Sequence, residues 1–365
     1  MSLLLFLIVM AAISAAYGWV LRRFGLKGLR CTRRFSRRAV FEGEEGELVE
    51  VVSNDRPMLV PWLRVESRMP AGLRFGRQEN LEVSGQMYHR SLFTLMPYQR
   101  ITRRHRVRFT RRGSYNIGNA TLTVGDVLGQ TQCAAEQHMD VPVLVYPRLL
   151  EDDQVPQPAS LLLGDLIVEH QLLRDPFLTC GIRGYRAGDP VRDIHWPATA
   201  RVGSAQVRVH DFTTQARLLV VLNSQLREDQ WDNLMDYEQG MVEHAISVAA
   251  TLCVKMLRAG LTAGFACNMP LEGADERANT IVMPAGGEEQ EEALLTAFAR
   301  LRVLRTRSFN TFLDELPDCA GLDVIILSAY DSEALQEQIV RLRASGANVR
   351  LCVLVAGKEA AQDAE

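Results

Sequence analysis

"RLLVVLN", residues 217–223, decides the fold. Its apolar residues run without alternation, as in a strand buried on both faces and not one. "LTAGFACN" (261–268), "LDVIILSA" (322–329) and "NVRLCVLV" (348–355) repeat the pattern. The segments between them read as helices: about 232–259, stopped by Gly260, then about 287–303, then 333–344, ending near Gly346. Strands and helices alternating in this way predict a doubly wound parallel α/β domain over 211–358.

Upstream the period changes. "GELVEVVSND", "PWLRVESRMP", "HRVRFTRRGSY" and "ATLTVGDVLG" alternate apolar and polar residues with Gly, Pro, Asn and Asp between them. That period-two pattern predicts an antiparallel β-sandwich of roughly immunoglobulin size over 39–150. In "RITRRHRVRFTRRG", Val107 and Phe109 alternate with Arg106 and Arg108, so one face suits a core and the other water. Stacking aromatics are few there, which favours an exposed charged strand over a nucleic-acid groove. Between the two domains, 151–210 reads as an acidic, Pro-containing linker followed by a segment of special composition.

The N-terminus carries a different signal. Leu3–Leu21 is an uncharged run of 19 residues, about enough to cross a bilayer core. Residues 22–38 then hold eight Lys and Arg and no acid, although the whole chain has a net charge of −3. No basic residue precedes the apolar run, so a cleaved signal peptide fits poorly. A transmembrane anchor over 1–21 and a basic juxtamembrane segment over 22–38 follow, with the body in the cytoplasm. Seven scattered cysteines without a CxxC pair argue against a disulfide framework and a thiolate metal site, and imply a reducing compartment.

The special segment is "GDPVRDIHWPATARVGSAQVR" (188–208). Gly188-Asp189-Pro190 has turn chemistry. A metal-dependent or hydrolytic enzyme would use Asp189, Asp193 and His195, but residues two apart on a strand need a third group, and no nucleophile is evident. The chain has no P-loop, no GxGxxG after a strand, no HExxH and no GxSxG. Its histidines show no ligand spacing on one helix face. No catalytic residue and no cofactor is assigned. Arg192 and Trp196 are residue types that carry interface energy when buried, so the segment reads as an ordered structural or interaction loop.

"GIRGYRAGDPVRDIHWPATARVGSAQVRVHDF" (181–212) resembles the signature of the bacterial "domain of unknown function 58" family, roughly R-x-Y-x-x-G-D-x-x-R-x-I-x-W-x-x-x-A-R. Arg183, Tyr185, Gly188, Asp189, Arg192, Ile194, Trp196, Ala200 and Arg201 fall on that pattern. "FEGEEGELVEVVSNDRPMLVPWLRVE", "RRGSYNIGNATLTVGDVLGQTQ", "VLVYPRL" and "EHAISVAATLCVKMLRAG" are similar to other landmarks of the family. Pro197 departs from it, standing where a basic residue is usual. The resemblance implies a von Willebrand factor A-like α/β domain, whose metal site would open with Asp-x-Ser-x-Ser after the first strand. Here Asn223, Gln225 and Arg227 occupy those places, so no metal is expected; Asp331 and Ser332 alone make a weak site. It further implies a bacterial inner-membrane, single-pass protein acting as a non-enzymatic adaptor or assembly factor. A MoxR-type AAA+ ATPase and other membrane-associated proteins are its implied partners, with no nucleic acid expected. Both a domain-locking and a docking role fit the signature residues Arg183, Tyr185, Gly188, Asp189, Arg192, Asp193, His195, Trp196 and Arg201.

Overall fold

The computed structural model describes residues 2–76, 81–84, 88–126, 131–172, 174–186, 191–212, 217–228 and 235–354. The chain divides into two compact units, Met1–Arg148 and Leu149–Glu365.

The first unit opens with helix α1 (Ser2–Phe24) and continues entirely in strands. These are β1 (Leu29–Phe35), β2 (Ala39–Phe41), β3 (Glu45–Asn54), β4 (Val60–Arg68), β5 (Leu73–Phe75), β6 (Leu81–Ser84), β7 (Tyr88–Leu95), β8 (Arg100–Phe109), β9 (Gly113–Ile117), β10 (Ala120–Gly125), β11 (Gln132–Gln137) and β12 (Val141–Tyr146). They form sheets in the orders β1-β3-β8-β5, β11-β10-β4-β7-β6 and β2-β12-β9. All pairings are antiparallel except β2 with β12. Alternation places His105, Val107 and Phe109 of β8 inside and Arg104, Arg106 and Arg108 outside. The core gathers Leu48, Val52, Leu63, Val65, Phe93, Val107 and Phe109 from facing strands.

The segment read as basic and juxtamembrane, 22–38, is not separate from this unit. Helix α1 runs on to Phe24, and β1 pairs with β3 from Leu29 opposite Asn54 to Phe35 opposite Leu48. The sandwich therefore begins ahead of residue 39. On β1 the exposed positions are Arg30, Thr32 and Arg34, while Cys31 and Arg33 turn inward. The buried guanidinium of Arg33 needs a counter-ion. It donates to Glu50 Oε1 from Nε at 2.8 Å and from Nη2 at 2.6 Å, and its Nη1 donates to the Ser67 hydroxyl. His105 Nε2 contacts the other Glu50 oxygen at 3.2 Å. Burial pushes the Glu50 carboxyl up, but the His105 bond and the Arg33 charge outweigh it, leaving its pKa lowered to about 2. Beside them, His89 is buried with no hydrogen-bond partner on either ring nitrogen. Burial first, and the Arg33 charge second, lower its pKa to about 3, so the folded ring is neutral near pH 7.

The second unit comprises α2 (Gln157–Leu172), β13 (Arg174–Gly184), α3 (Trp196–Val202), β14 (Gln206–Phe212), β15 (Arg217–Leu222), α4 (Asp236–Arg258), β16 (Thr262–Cys267), β17 (Thr280–Ala285), α5 (Glu288–Arg300), α6 (Phe309–Asp314), β18 (Asp323–Ser328), α7 (Glu333–Ala344) and β19 (Asn348–Val353). One sheet, in the order β17-β16-β15-β18-β19, has parallel neighbours from β16 to β19 and an antiparallel edge strand, β17. Leu218, Val220 and Leu222 of β15 enter one apolar cluster with α2, α4 and α5. Leu219 and Val221 enter another with α6 and α7. Helices thus cover both faces, which is why β15 reads as an unbroken apolar run.

The stretch read as a linker is corrected as well. Part of 151–210 forms α2, and its Ala159, Leu163 and Leu166 lie in the core of this unit. Helix α4 stops as its glycine predicts, with Gly260 in the left-handed region at φ +81°. Among the described residues, Tyr237–Arg258 is long and apolar enough to cross a membrane, but 67% of that window is buried inside the protein. Its Ala245, Ala249 and Ala250 bring the helix close to the sheet, and its apolarity serves that packing.

Removing one member of the Arg33–Glu50 pair strands a buried charge, so Glu50→Ala should destabilise the sandwich by about 3–5 kcal/mol. Stability should also fall as the solution is acidified from pH 6.5 towards about 3. Unfolded His89 binds a proton over that range and folded His89 does not. Glu50 adds its own loss between 4.5 and about 2, because its folded pKa is the lower one. Urea denaturation followed at Trp62, with the other tryptophans replaced by Phe, measures both effects. His89→Leu should flatten the slope above pH 4.5, and an unchanged slope there would refute the neutral buried ring.

Candidate functional site

In open α/β sheets ligands bind beyond the C-terminal strand ends, where neighbouring crossovers diverge. Here that point lies at β15, which has β16 on one side and β18 on the other. Each of these strands ends on a polar residue: Asn223 follows β15, Asn268 follows β16, and Ser328 closes β18. All three are buried, as are Ser224 and Gln225.

Their polar groups are turned on one another. Asn223 Nδ2 donates to Ser328 Oγ at 3.1 Å, which spans the crevice between β15 and β18. Its Oδ1 accepts the Gln225 N–H at 2.9 Å. Asn268 Oδ1 accepts the Ser224 N–H at 3.0 Å, and Asn268 Nδ2 donates to the Arg307 carbonyl at 3.1 Å. Gln225 Oε1 accepts the Phe309 N–H at 2.8 Å, which fastens the start of α6 to the crest. Above them lies an ion pair of buried side chains, Arg305 Nη1 to Glu238 Oε2 at 3.4 Å. Glu238 also accepts the Met235 N–H at 3.1 Å and so caps α4. The Arg305 Nη2 and the Ser224 hydroxyl are buried without a hydrogen-bond partner.

A divalent cation needs a shell of oxygen ligands rich in carboxylate. The three strand ends supply two amides and a hydroxyl, and the nearby charges are a guanidinium and the carboxylate that neutralises it. These residues do not fit a metal. Among the described residues, no group of three or more His, Cys, Asp or Glu side chains could hold one. Of the positions singled out in the sequence, Asn223 and Gln225 are at the crest, while Arg227 is exposed. Ser224, Asn268, Ser328, Arg305 and Glu238 were not singled out. The signal for three of the crest residues was present, since Asn223, Asn268 and Ser328 each follow an apolar run.

The signature segment is built differently. Strands β13 and β14 pair as an antiparallel hairpin, and between them stand a 3-10 turn, Val191–Asp193, and the short helix α3. His195 is the N-cap of α3: its Nδ1 accepts the Ala198 N–H at 3.0 Å, and its own N–H donates to the Gln206 carbonyl at 2.7 Å. In this bond Nδ1 carries no hydrogen. Pro197 sits in the first turn, where a missing N–H costs nothing, so the departure from the resembled pattern has a local reason. Gly203 ends the helix in the left-handed region at φ +74°. Thr199 Oγ1 accepts the Gln206 N–H at 2.9 Å and ties α3 to β14.

Asp193 therefore closes the 3-10 turn and His195 opens the helix after it, with His195 Nδ1 engaged in capping. Gly188 and Asp189 lie outside the described residues, as does the side chain of Arg192. Arg183, Tyr185 and Arg201 are exposed. Trp196 is 66% exposed and Val191 68%, and α3 buries none of its residues. Ile182, Tyr185 and Val202 are exposed as well.

Residues 181–319 match the family model described as "Protein of unknown function DUF58". That stretch contains the signature segment 181–212, the crest residues Asn223 and Asn268, and Arg305. No curated protein matches the chain. Among solved structures, the chain is similar to a CARDB domain from Pyrococcus furiosus solved with di-metal ions. Identity there is 19%, with 33% of this chain and 90% of that chain covered, at a TM-score of 0.22. It is also similar to Escherichia coli alpha-2-macroglobulin from domain MG7 to the C-terminus, at 14% identity, 33% and 24% coverage and a TM-score of 0.26. A non-cellulosomal cohesin from Archaeoglobus fulgidus gives 10% identity, 32% and 91% coverage and a TM-score of 0.23.

Gln225→Ala should leave the Phe309 N–H buried and unpaired, at a cost of about 1–3 kcal/mol. Arg227→Ala, at an exposed position, should change stability by no more than about 0.5 kcal/mol. Thermal denaturation of the two variants distinguishes a crest that knits the fold from an open, solvated one, which would make the two losses equal.

Proposed function

We propose that this chain is a membrane-anchored, non-enzymatic adaptor or assembly factor that docks a protein partner through its signature hairpin and α3. The observation that carries this reading is the apolar surface of that module. Trp196, Val191, Val202, Tyr185 and Ile182 are left exposed by a short helix and turn that bury little of their own surface. Trp is the residue type most enriched at binding hot spots, and α3 presents one at the surface.

In this reading the α/β domain is von Willebrand factor A-like, and its metal position is degenerate at Asn223, Gln225 and Arg227. A crest of amides and an internal Arg305–Glu238 pair supports binding through surface side chains over binding through a bridging cation. Helix α1 is the anchor, with its exposed Leu5, Phe6, Ile8, Val9 and Met10 in lipid, the sandwich is a spacer, and the body is cytoplasmic. The resemblance to the "domain of unknown function 58" family supports a MoxR-type AAA+ ATPase as the partner, alongside other membrane-associated proteins.

The test is co-purification from detergent-solubilised membranes. Wild type should retain an AAA+ ATPase, and a Val191→Ser/Trp196→Ala chain should lose it. Because both side chains are exposed, the double variant should keep its thermal stability within about 1 kcal/mol. A partner retained by the double variant would move the docking face elsewhere, and the absence of an ATPase from wild type would overturn the partner assignment.

A further inference from the structure

Two loops of the sandwich meet the end of α1 and carry side chains that nothing in the adaptor reading uses. The first spans 55–59, between β3 and β4, and the second spans 96–99, between β7 and β8. Asn54, fully buried, holds both: its Nδ2 donates to the Met58 carbonyl at 2.8 Å and to the Met96 carbonyl at 2.9 Å. Arg56 extends the tie to the helix, donating from Nε to Asn54 Oδ1 at 3.3 Å, from Nη2 to the Gly25 carbonyl at 3.0 Å, and from Nη1 to the Phe24 carbonyl. Tyr98 N–H closes the ring on the Arg56 carbonyl at 3.1 Å.

Helix α1 is itself clamped to the same place. Tyr17 donates its hydroxyl hydrogen to the Leu59 carbonyl at 3.0 Å, and Leu21 is fully buried in the sandwich core. Between them Gly18 lies so close to β11 and its approach that a Cβ there would come within 2.8 Å of Thr131 Oγ1. The last two turns of α1 therefore belong to the sandwich, with no flexible linker before β1.

Around this junction the exposed side chains are large and apolar. Trp19, Phe24, Leu59, Met96 and Tyr98 all face solvent, Tyr98 at 71%. Tyr98 does so from a left-handed backbone, φ +55°, and it is the one non-glycine residue with positive φ among the described residues. The tight turn is held by Gln99, whose side-chain oxygen accepts the Met96 N–H at 2.8 Å. Arg22, Arg23, Lys27, Arg30 and Arg100 are exposed beside these residues in the chain. Trp, Tyr and basic residues together are the composition that settles at a membrane–water interface, where the rings take the headgroup level and the cations meet anionic lipid.

We infer that Leu59, Met96 and Tyr98, with Trp19 and Phe24, form a collar immersed in the interfacial layer of an anionic bilayer, so that the sandwich is seated in the membrane surface and not merely tethered to it. This inference rests on the reading of α1 as the anchor. The collar residues come from three segments joined through Asn54 and Arg56, so the seat is rigid and fixes the sandwich at one depth.

Depth-dependent quenching of tryptophan by brominated lipid tests it. The full chain, with its four native tryptophans changed to Phe, is reconstituted in phosphatidylcholine–phosphatidylglycerol vesicles carrying bromine near the carbonyl end or near the methyl end of the acyl chain. Three single probes are compared: Phe6→Trp in the anchor, Tyr98→Trp in the collar, and Arg108→Trp. The last lies at the far end of β8, about 25–30 Å away along the strand. The Phe6→Trp probe should lose most fluorescence to deep bromine, the Tyr98→Trp probe to shallow bromine, and the Arg108→Trp probe should lose none. Quenching at Phe6→Trp without quenching at Tyr98→Trp overturns the collar and leaves the anchor standing. No quenching at Phe6→Trp overturns the anchor, and the collar with it.

Discussion

Burial of β15 on both faces is the constraint on which the α/β unit depends. Leu218, Val220 and Leu222 point to one layer of helices, and Leu219 and Val221 to the other. A strand so enclosed has no solvated side, so no polar side chain fits along its length and the first one appears at its end. Asn223 is that residue, and the same rule places Asn268 after β16 and Ser328 at the end of β18. The crest is thus a consequence of enclosure. Where polar groups can first return, they return together, and in this protein the amide side chains and Ser328 bond one another, the neighbouring backbone and the start of α6.

That self-satisfaction separates two properties that α/β folds commonly combine. The crevice at the strand ends is where a ligand is ordinarily held, yet here Asn223 and Ser328 bond across it and Arg305 brings a cation of its own. Exposed apolar side chains appear instead on the signature hairpin and α3. A histidine cap, a proline in the first turn and a left-handed glycine define α3 without any buried side chain. Local hydrogen bonds shape this module, while Trp196 and Val191 remain exposed.

The sandwich answers a different problem. Strand β1 must pair along β3, and strict alternation then turns Arg33 inward. The cost of burying that charge is met by Glu50, His105 and Ser67 on three further strands, so the register of β1, β3, β4 and β8 is coupled through one ionic cluster. A one-residue slip of β1 would turn Cys31 and Arg33 out to solvent and bury Arg30, Thr32 and Arg34 in their place. The cluster thereby ties the strand that follows α1 to a single register.

The sequence by itself determined the class of each unit and several of its principal elements. Unbroken apolar runs marked β15, β16 and β18, period-two alternation marked the sandwich, and Gly260 and Gly346 marked helix ends, because each of these patterns is local and follows from solvent contact on one face, both or neither. Tertiary structure alone decided the rest. Segment 151–210 hid α2 because its weak periodicity becomes meaningful only against the α/β core, and the basic run after α1 hid β1 because the acceptor for Arg33 lies 17 residues away, on a neighbouring strand. Asn223 and Ser328 are 105 residues apart, and Gln225 and the Phe309 N–H are 84 apart, so no spacing rule could bring them to one crest. Hydrogen bonds between such distant groups exist only once the strands have paired. For that reason Asn223 and Gln225 could be singled out from the sequence, but what they bond could not.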